Sequence, residues 1–197
     1  MKRFLKILIG LLFTTGFILI GYALYHIWDG NNQVEKRIVE AKKIVEQNNN
    51  DSQIDPSSIS YQQGETIGIL KIPKLKKELP IIEGTDEEEL EKGVGHYTGT
   101  AYPLQNDQIV LSGHRDTVFR NFGELETGDT FIVELEYGKF KYEIYEMDIV
   151  PADDTTVIRS TAPDEILTVT TCYPFHYIGN APERAIFYAK PVSKGKE

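Results

Sequence analysis

Residues 129–150, DTFIVELEYGKFKYEIYEMDIV, decide the fold, because two strand-like runs flank Tyr137–Gly138. β-branched and aromatic residues dominate both runs, as is typical of strands, and a glycine-containing pair between two such runs is typical of a tight turn. The stretch therefore predicts a β-hairpin near the middle of the chain.

Five further runs have the same strand-like character. They are residues 65–72 (ETIGILKI), 79–84 (LPIIEG), 107–114 (DQIVLSGH), 165–172 (EILTVTTC) and 183–190 (ERAIFYAK). From residue 61 onward, only residues 86–93, DEEELEKG, are helical in pattern, for one or two turns. The long crossover helices that a parallel sheet requires are missing. About seven or eight short strands with only short helices predict an all-β fold, a closed or nearly closed barrel.

The first 28 residues predict a basic tail followed by a transmembrane helix. Ile7 to Trp28 carry no formal charge, and at about 1.5 Å per residue they span about 33 Å, enough for a hydrocarbon core of about 30 Å. Tyr22, Tyr25 and Trp28 lie at the far end, as in an interfacial aromatic belt. A cleaved signal peptide would have a shorter apolar run and a small-residue cleavage site, so an uncleaved anchor is favoured.

Net charge divides the chain into a small basic head and a large acidic body. The 197 residues carry a formal charge of -9, and the first 28 contain three basic and no acidic side chains, so the remainder carries -12. An acidic body argues against nucleic-acid binding, which needs a basic surface. Basic residues flank both ends of the apolar span, so the positive-inside rule does not decide its orientation in the membrane. Because the head resembles an export signal, we predict a cytoplasmic N-terminus and an extracellular body.

The region between the anchor and the barrel, residues 29–60, predicts a spacer helix and a polar linker. Val34, Ile38, Ala41 and Val45 form an apolar stripe at helical spacing. Residues 48–58, NNNDSQIDPSS, have the composition of a flexible linker. The barrel domain is predicted over residues 61–191, and a short polar tail over residues 192–197.

Three side chains of the barrel are the strongest candidates for chemistry. Cys172 and His114 each end a buried strand, where a rigid scaffold can present a reactive group to solvent. Arg184 opens the last strand, and its guanidinium is a permanent cation suited to an oxyanion or a substrate carbonyl. The residues alone leave open a buried structural Cys172. They also leave open other bases and cations: His96, His176, Arg115, Arg120 and Arg159.

Together, a thiol, an imidazole and a guanidinium suit acyl transfer. Free thiols and imidazoles titrate about two pKa units apart, so the reactive thiolate–imidazolium pair costs about 2.7 kcal/mol. A nearby permanent cation would lower that cost. The pair can attack an amide carbonyl to give a thioacyl enzyme, with the imidazolium as the acid for the leaving amine.

Metal chemistry has no support in the sequence, which contains no HExxH, no CxxC and no dense His/Asp cluster. The acidic run Asp86 to Glu89 does not match the alternating pattern of a calcium loop, so we interpret it as a solvated face. The prediction is therefore an absence of cofactors, with calcium binding unsupported.

Several motifs in family order resemble the sortases, the cysteine transpeptidases of Gram-positive bacteria. They are LSGHRDTVF at 111–119, LTVTTC at 167–172, PER at 182–184, GILKIPKL followed by LPIIEGT, and GVGHYTGTAYP at 93–103. The resemblance covers about residues 65–189 and implies a sortase-like β-barrel. It implies Cys172 as the nucleophile, His114 as the general acid/base and Arg184 as the oxyanion or substrate stabiliser. Thr171 falls in the TLxTC motif and is implied to line the substrate groove, and His96 becomes a structural residue.

Departures from the family pattern are few. Val169 stands where the TLxTC motif usually has Leu, and Thr98 and Leu104 stand where related sequences often have Pro and Gly. Pilus-polymerising sortases usually add a C-terminal span and an aromatic Asp-Pro lid, whereas Asp55–Pro56 is followed here by Ser57. The short, N-anchored form most resembles the class D sortases.

The resemblance implies a membrane-anchored enzyme that cleaves an LPxTG-like sorting signal after Thr and passes the acyl group to an amine of a cell-wall precursor. Its partners would be secreted proteins with a C-terminal sorting signal, the wall precursor and the membrane. Two alternatives stay open: another exported cysteine peptidase or transpeptidase, and a non-catalytic membrane-tethered β-domain. Papain-like enzymes place Cys before His, opposite to the order here, and the SxGC element of L,D-transpeptidases is absent.

Overall fold

The computed structural model describes residues 2–47, 59–177 and 179–192. The predicted linker at 48–58 and residues 193–197 of the predicted tail lie outside the described residues. The elements are α1 (Lys2–Gln47), β1 (Thr66–Ile72), β2 (Lys77–Glu83), α2 (Glu87–Lys92), β3 (Val94–His96), β4 (Gln108–Gly113), β5 (Thr130–Leu135), β6 (Gly138–Pro151), β7 (Ile166–Tyr173) and β8 (Glu183–Pro191). Two short 3-10 segments cover Pro73–Leu75 and Phe122–Glu124.

The eight strands form a closed barrel in the order β1-β2-β3-β4-β7-β8-β6-β5, and β5 pairs with β1 to close it. The pairings are antiparallel except for β2 with β3 and β4 with β7. The predicted all-β barrel of seven to eight strands with short helices is confirmed. The predicted hairpin corresponds to β5 and β6. The sequence did not predict β3, which is only three residues long and runs parallel to β2.

Alternation along the strands separates the barrel core from its outer surface. Val169 of β7 and Phe187 of β8 are completely buried in the core, where Phe187 packs edge-on against the ring of Phe122. Because side chains alternate between the two faces of a sheet, Cys172 and Arg184 on the same two strands project from the outer surface. The alternating pattern therefore decides both what fills the barrel and which side chains remain available for chemistry.

The helix α1 runs without interruption for 46 residues. Its segment Arg3–Tyr25 is long and apolar enough to cross a membrane. The sequence predicts the anchor and the spacer helix as separate segments, whereas the structure continues the helix through Asp29 and Gly30. A glycine inside a helix costs about 1 kcal/mol relative to alanine. A hydrogen bond of 3.1 Å from Gln33 Nε2 to Asp29 Oδ2, one turn apart, spans that position.

The second half of α1 packs against the barrel at β1 and β2. Ala41 is fully buried there, and Val34 packs against the hydrophobic core. Arg37 Nη1 donates a 3.1 Å hydrogen bond to the Thr66 hydroxyl. Lys42 Nζ forms a 2.7 Å ion pair with Glu78. This half of the helix is therefore bound to the barrel by both apolar and charged contacts.

Candidate active site

The strand register brings the three predicted reactive residues to one level of the barrel. β7 lies between β4 and β8, and Gly113 of β4 is aligned with Thr171 of β7. His114 follows Gly113 and therefore emerges beside Cys172. On the other side, Cys172 is directly aligned with Arg184 of β8. The topology thus gathers residues that are far apart in the chain at adjacent strand ends.

All three side chains line one cleft of about 360 Å³ on the outer face of β4, β7 and β8. Its floor combines small hydroxyl-bearing and apolar residues, namely Val110, Ser112, Thr168, Thr170 and Ile186. One wall includes Thr85, Leu90 and Tyr97, and the other is formed by residues 152–158. A cleft of this size with a few polar groups among apolar walls is the usual form of a ligand site.

Cys172 is a free thiol that is neither buried nor fully exposed. Its position at the end of β7, in the lining of the cleft, gives the sulfur access to a ligand. The buried-cysteine interpretation left open by the sequence does not fit this placement. The thiol therefore has both a fixed backbone and a path to solvent.

Arg184 is oriented by its own loop rather than by an acidic side chain. Its Nη1 donates to the carbonyl oxygens of Ala181 at 3.2 Å and Glu183 at 2.9 Å. Within the described ranges the guanidinium forms no ion pair, not even with the neighbouring Glu183. Since both hydrogen bonds use Nη1, the other two nitrogens have no hydrogen-bond partner among the residues that the structure describes. The arrangement leaves donors for an anionic or carbonyl oxygen in the cleft.

Thr171 borders the cleft, but its hydroxyl points into the protein. The side chain is buried, and Oγ1 donates a 2.7 Å hydrogen bond to the carbonyl oxygen of Gly113. That carbonyl belongs to the residue immediately before His114. The hydroxyl thus links the strand that carries Cys172 to the strand that carries His114.

The two histidines that are alternatives to His114, His96 and His176, do not line the cleft. His176 is exposed on the loop between β7 and β8 and does not line the cleft. His96 is only 1% exposed, and its Nδ1 lies 2.7 Å from Glu83 Oε2, while its Nε2 lies 3.0 Å from the carbonyl oxygen of Ala101. The Tyr102 hydroxyl donates to the same Glu83 oxygen at 2.9 Å. His96 is therefore part of a buried polar network.

Glu83 is the charged centre of that network. Burial acts to raise the pKa of its carboxyl, but the hydrogen bond and positive charge of His96 and the hydrogen bond from Tyr102 outweigh burial, so the pKa is lowered. The contact between the Glu83 carboxylate and the His96 ring is therefore buried and lies at the centre of the network.

The competing cations also lie outside the cleft lining. Arg159 is exposed, and Arg120 donates to the carbonyl oxygen of Asp116 within its own loop. Arg115 is buried and donates to two carbonyl oxygens of the loop that follows Cys172. The sequence indicates Arg115 only as an alternative to Arg184, and no local pattern predicts this contact between the two loops.

A second feature that the sequence does not predict is the attachment of the β6–β7 loop, residues 152–165. Gln108 Nε2 donates to the Val157 carbonyl at 2.8 Å, and Gln108 Oε1 accepts from the Arg159 amide at 2.8 Å. Asp107 Oδ1 accepts from the Thr161 amide at 2.6 Å. Two adjacent side chains at the start of β4 therefore hold the loop that forms one wall of the cleft.

Across the described ranges, the structure contains no group of three or more His, Cys, Asp or Glu side chains arranged to hold a metal ion. The cleft lining combines a thiol, an imidazole and a guanidinium with the Asp154 carboxylate and the Tyr97 phenol.

A family model described as the Sortase domain matches residues 70–192. The chain belongs to the sortase family. This sortase is 47% identical over 186 residues to Sortase D of Bacillus subtilis (strain 168), covering 90% of this chain and 94% of that protein. Among solved structures it resembles a Clostridium perfringens Sortase D5 transpeptidase, with a TM-score of 0.68, 27% identity and coverage of 82% and 99% of the two chains. Sortase C from Clostridium perfringens SM101 matches with a TM-score of 0.61, 25% identity and coverage of 84% and 95%.

Family membership makes this sortase an enzyme, a cysteine transpeptidase, and confirms the predicted resemblance. The predicted alternatives of a non-catalytic β-domain and an unrelated cysteine peptidase are not retained. Sortases are membrane-associated and in general act on proteins that carry sorting signals and on cell-wall precursors. The apolar segment Arg3–Tyr25 of this sortase is a candidate span that fits such anchoring.

Proposed function

We propose that this sortase cleaves an LPxTG-like sorting signal after Thr and transfers the protein, through a thioacyl intermediate on Cys172, to an amine of a cell-wall precursor. The observation that supports the assignment of residues is the register of β4, β7 and β8. It places Cys172 between His114 and Arg184 in the lining of one cleft.

Acylation begins with attack of the Cys172 thiolate on the carbonyl carbon of the Thr residue of the signal. The Arg184 guanidinium stabilises the oxyanion that develops on the carbonyl oxygen. The His114 imidazolium donates its proton to the nitrogen of the leaving peptide as the C–N bond breaks. The products are a thioester on Cys172, a neutral His114 and a free amine that diffuses away.

Deacylation reverses these roles with a second amine. The incoming nitrogen attacks the thioester carbonyl, and neutral His114 accepts the proton that the amine loses. The new C–N bond forms, the C–S bond breaks and Cys172 leaves as a thiolate. The enzyme returns to its starting protonation state, so the cycle needs no external acid or base.

The cleft suits an extended peptide with apolar residues ahead of the scissile bond. Val110, Ile158 and Ile186 offer apolar surface, while Ser112 and Thr170 offer hydroxyls beside the strand backbones. Because water would hydrolyse the thioester, a productive site must shield it until the amine arrives. The wall held by Gln108 contributes to that shield.

We further propose that Arg3–Tyr25 spans the membrane with the N-terminus in the cytoplasm and the barrel outside the cell. In this arrangement residues 1–28 anchor the protein, residues 29–60 connect the anchor to the barrel, residues 61–191 form the catalytic domain and residues 192–197 are a tail. The nucleophile, the acid and the oxyanion cation are all side chains of this chain, so the reaction is proposed to need no cofactor.

The test uses the full-length protein in detergent micelles with fluorogenic peptides of the LPxT type. We expect cleavage after Thr and an acyl adduct on Cys172 by intact-mass spectrometry, and a new amide product when a peptidyl amine is added. Cys172→Ala abolishes the adduct, and His114→Ala reduces it nearly as far. A folded wild-type protein that forms no adduct with any LPxT variant would contradict the proposal.

A further inference from the structure

Arg115, the residue after His114, is buried although it carries a permanent charge. Only 7% of its surface is exposed. It lies at the start of the β4–β5 loop, residues 114–129, and it does not line the cleft. A buried guanidinium is costly unless its donors are paired, so its contacts indicate why the charge is retained there.

The guanidinium of Arg115 donates its hydrogen bonds to the β7–β8 loop, residues 174–182. Nη1 donates to the carbonyl oxygen of Pro174 at 3.1 Å, and Nη2 donates to the carbonyl oxygen of Gly179 at 2.8 Å. The guanidinium carbon also lies 5.9 Å from the centroid of the Tyr177 ring. These partners are 59 and more residues away in the chain, so the side chain joins two loops that are independent in sequence.

Packing brings the same two loops into direct contact. A Cβ atom at Gly123, in the 3-10 segment of the β4–β5 loop, would lie 2.9 Å from the Phe175 ring of the β7–β8 loop. That distance is shorter than a normal contact between non-bonded carbon atoms, so the ring occupies the space that a side chain would need. The hydrogen bonds of Arg115 therefore act across an interface that is already closely packed.

The energetics indicate that Arg115 does not serve stability alone. Its Nε is buried without a hydrogen-bond partner among the described residues, and its nearest carboxylate, Asp116 Oδ2, is 3.5 Å away on a mostly exposed side chain. Incompletely paired buried charges contribute little net stability, and well-packed apolar residues often replace them without loss. An arginine is better explained at this position by geometry, because its guanidinium can donate to two separate carbonyl oxygens at the same time.

The β7–β8 loop connects two members of the proposed catalytic set. It begins two residues after Cys172 and ends two residues before Arg184, while Arg115 itself is bonded to His114 through the backbone. We propose that Arg115 is a positioning residue: it holds the β7–β8 loop against the His114 backbone and so sets His114 relative to Cys172 and Arg184. This inference rests on the proposed function, in which those three side chains carry out the transfer.

The test compares Arg115→Lys and Arg115→Met with matched changes at Arg120, an exposed arginine on the same loop that does not bond to the β7–β8 loop. All variants are full-length proteins in micelles, assayed for kcat, KM and thermal unfolding. Because a misplacement of about 1 Å can cost about 100-fold in rate, we expect Arg115→Met to lower kcat about 100-fold with KM within about threefold. Arg115→Lys keeps the charge and can reach one carbonyl, so its kcat should be about tenfold higher than that of Arg115→Met and about tenfold lower than that of the wild type. Arg120→Lys and Arg120→Met stay within about twofold of wild type.

Three results would overturn the inference. The first is a folded Arg115→Lys protein with wild-type kcat, and this variant decides the question if Arg115→Met does not fold. The second is a raised KM with unchanged kcat. The third is a fall in kcat that is equal in both Arg115 variants and is explained by an equal fall in the fraction of folded protein.

A further readout separates this inference from the proposed function. Alkylation of Cys172 by iodoacetamide needs the thiolate that His114 supports but needs no peptide. If the wild type forms no adduct with sorting peptides, the proposed function fails, and the role of Arg115 is still decided by alkylation. An alkylation rate about tenfold lower in the Arg115 variants supports the inference, and an unchanged rate contradicts it.

Discussion

Cys172 and Arg184 face each other across the antiparallel β7–β8 ladder, and their side chains therefore project from the same face of the sheet. Directly opposed residues in such a ladder have Cβ atoms about 4.5–5.5 Å apart. From a Cβ atom this close, the long Arg184 side chain has the reach to donate to an oxyanion formed on a carbonyl carbon that the Cys172 sulfur attacks. The register alone thus accounts for the proximity of this thiol to a permanent cation.

Arg184→Lys is predicted to lower kcat about 100-fold or more. An ammonium carries all its donors on one nitrogen, so it cannot both occupy the position of Nη1 between the two carbonyl oxygens and supply the spatially separate Nε and Nη2 donors to an oxyanion. The loss of one oxyanion donor typically costs about 10²–10³ in kcat. Steady-state kinetics with a fluorogenic sorting peptide measure the effect. Arg159→Lys, on an exposed arginine of the β6–β7 loop, is the matched control. A wild-type kcat in the Arg184→Lys protein would remove Arg184 from the proposed mechanism.

Thr171→Val is predicted to lower the free energy of unfolding by about 1–2 kcal/mol. Valine keeps the shape of the side chain but leaves the carbonyl oxygen of Gly113 without the hydroxyl donor. Urea unfolding followed by circular dichroism measures the change. Thr170→Val alters the neighbouring residue, whose side chain faces the cleft, and should change stability by less than about 0.5 kcal/mol. Equal effects at the two positions would show that the hydrogen bond does not stabilise the β4–β7 junction.

Glu83→Gln is predicted to destabilise the barrel at neutral pH by about 3–5 kcal/mol, because it leaves the buried His96 without its anionic partner. The pKa of Glu83 is lowered in the folded state. The ionised carboxylate therefore stabilises the fold above the ordinary glutamate pKa of about 4.5, and this stabilisation is lost as the pH falls through the lowered value.

Urea unfolding at a series of pH values tests the sign of this effect. The wild-type free energy of unfolding should fall below about pH 4.5 more steeply than that of Glu83→Gln. Glu91→Gln, at an exposed position of α2, should follow the wild-type curve. Parallel curves for wild type and Glu83→Gln would mean that the network does not couple protonation to folding.

Gln108→Ala is predicted to raise KM for the sorting peptide about tenfold with a smaller effect on kcat. The change removes the bonds that hold Val157 and Arg159, and about 1.4 kcal/mol lost from the preformed wall corresponds to about tenfold in affinity. Peptide titrations measure KM, and Gln62→Ala, on an exposed glutamine outside the cleft, is the control. A fall in kcat with KM unchanged would instead place the loop in the chemical step.

The sequence predicted most of the barrel because most of its strands are long enough to show alternation. The hairpin at 129–150 is an example, since its two runs became β5 (Thr130–Leu135) and β6 (Gly138–Pro151). β3 was not predicted, because three residues are too few to show an alternation of apolar and polar side chains. Its strand conformation depends on pairing with β2 and β4. The continuous helix was not predicted, because a glycine lowers helix propensity and is common where helices end. The structure nevertheless continues the helix through Gly30.

For the site, local pattern located the strand ends that carry Cys172 and His114, but it could not bring them together. Their proximity depends on the parallel pairing of β4 with β7, which is a property of the whole barrel. Arg115 illustrates the limit further. Its partners are main-chain carbonyls, which every residue possesses, so no side-chain motif in the β7–β8 loop indicates the contact.

The unbroken α1 helix has a consequence for substrate choice. With Arg3–Tyr25 in the bilayer, as proposed, about nine helical residues separate Tyr25 from Val34, the first residue that packs against the barrel core, or about 14 Å. A rigid helix of that length would hold the cleft at a fixed distance from the lipid headgroups. Substrate proteins would then be selected by the distance of their scissile bond from the membrane as well as by the sequence of the sorting signal.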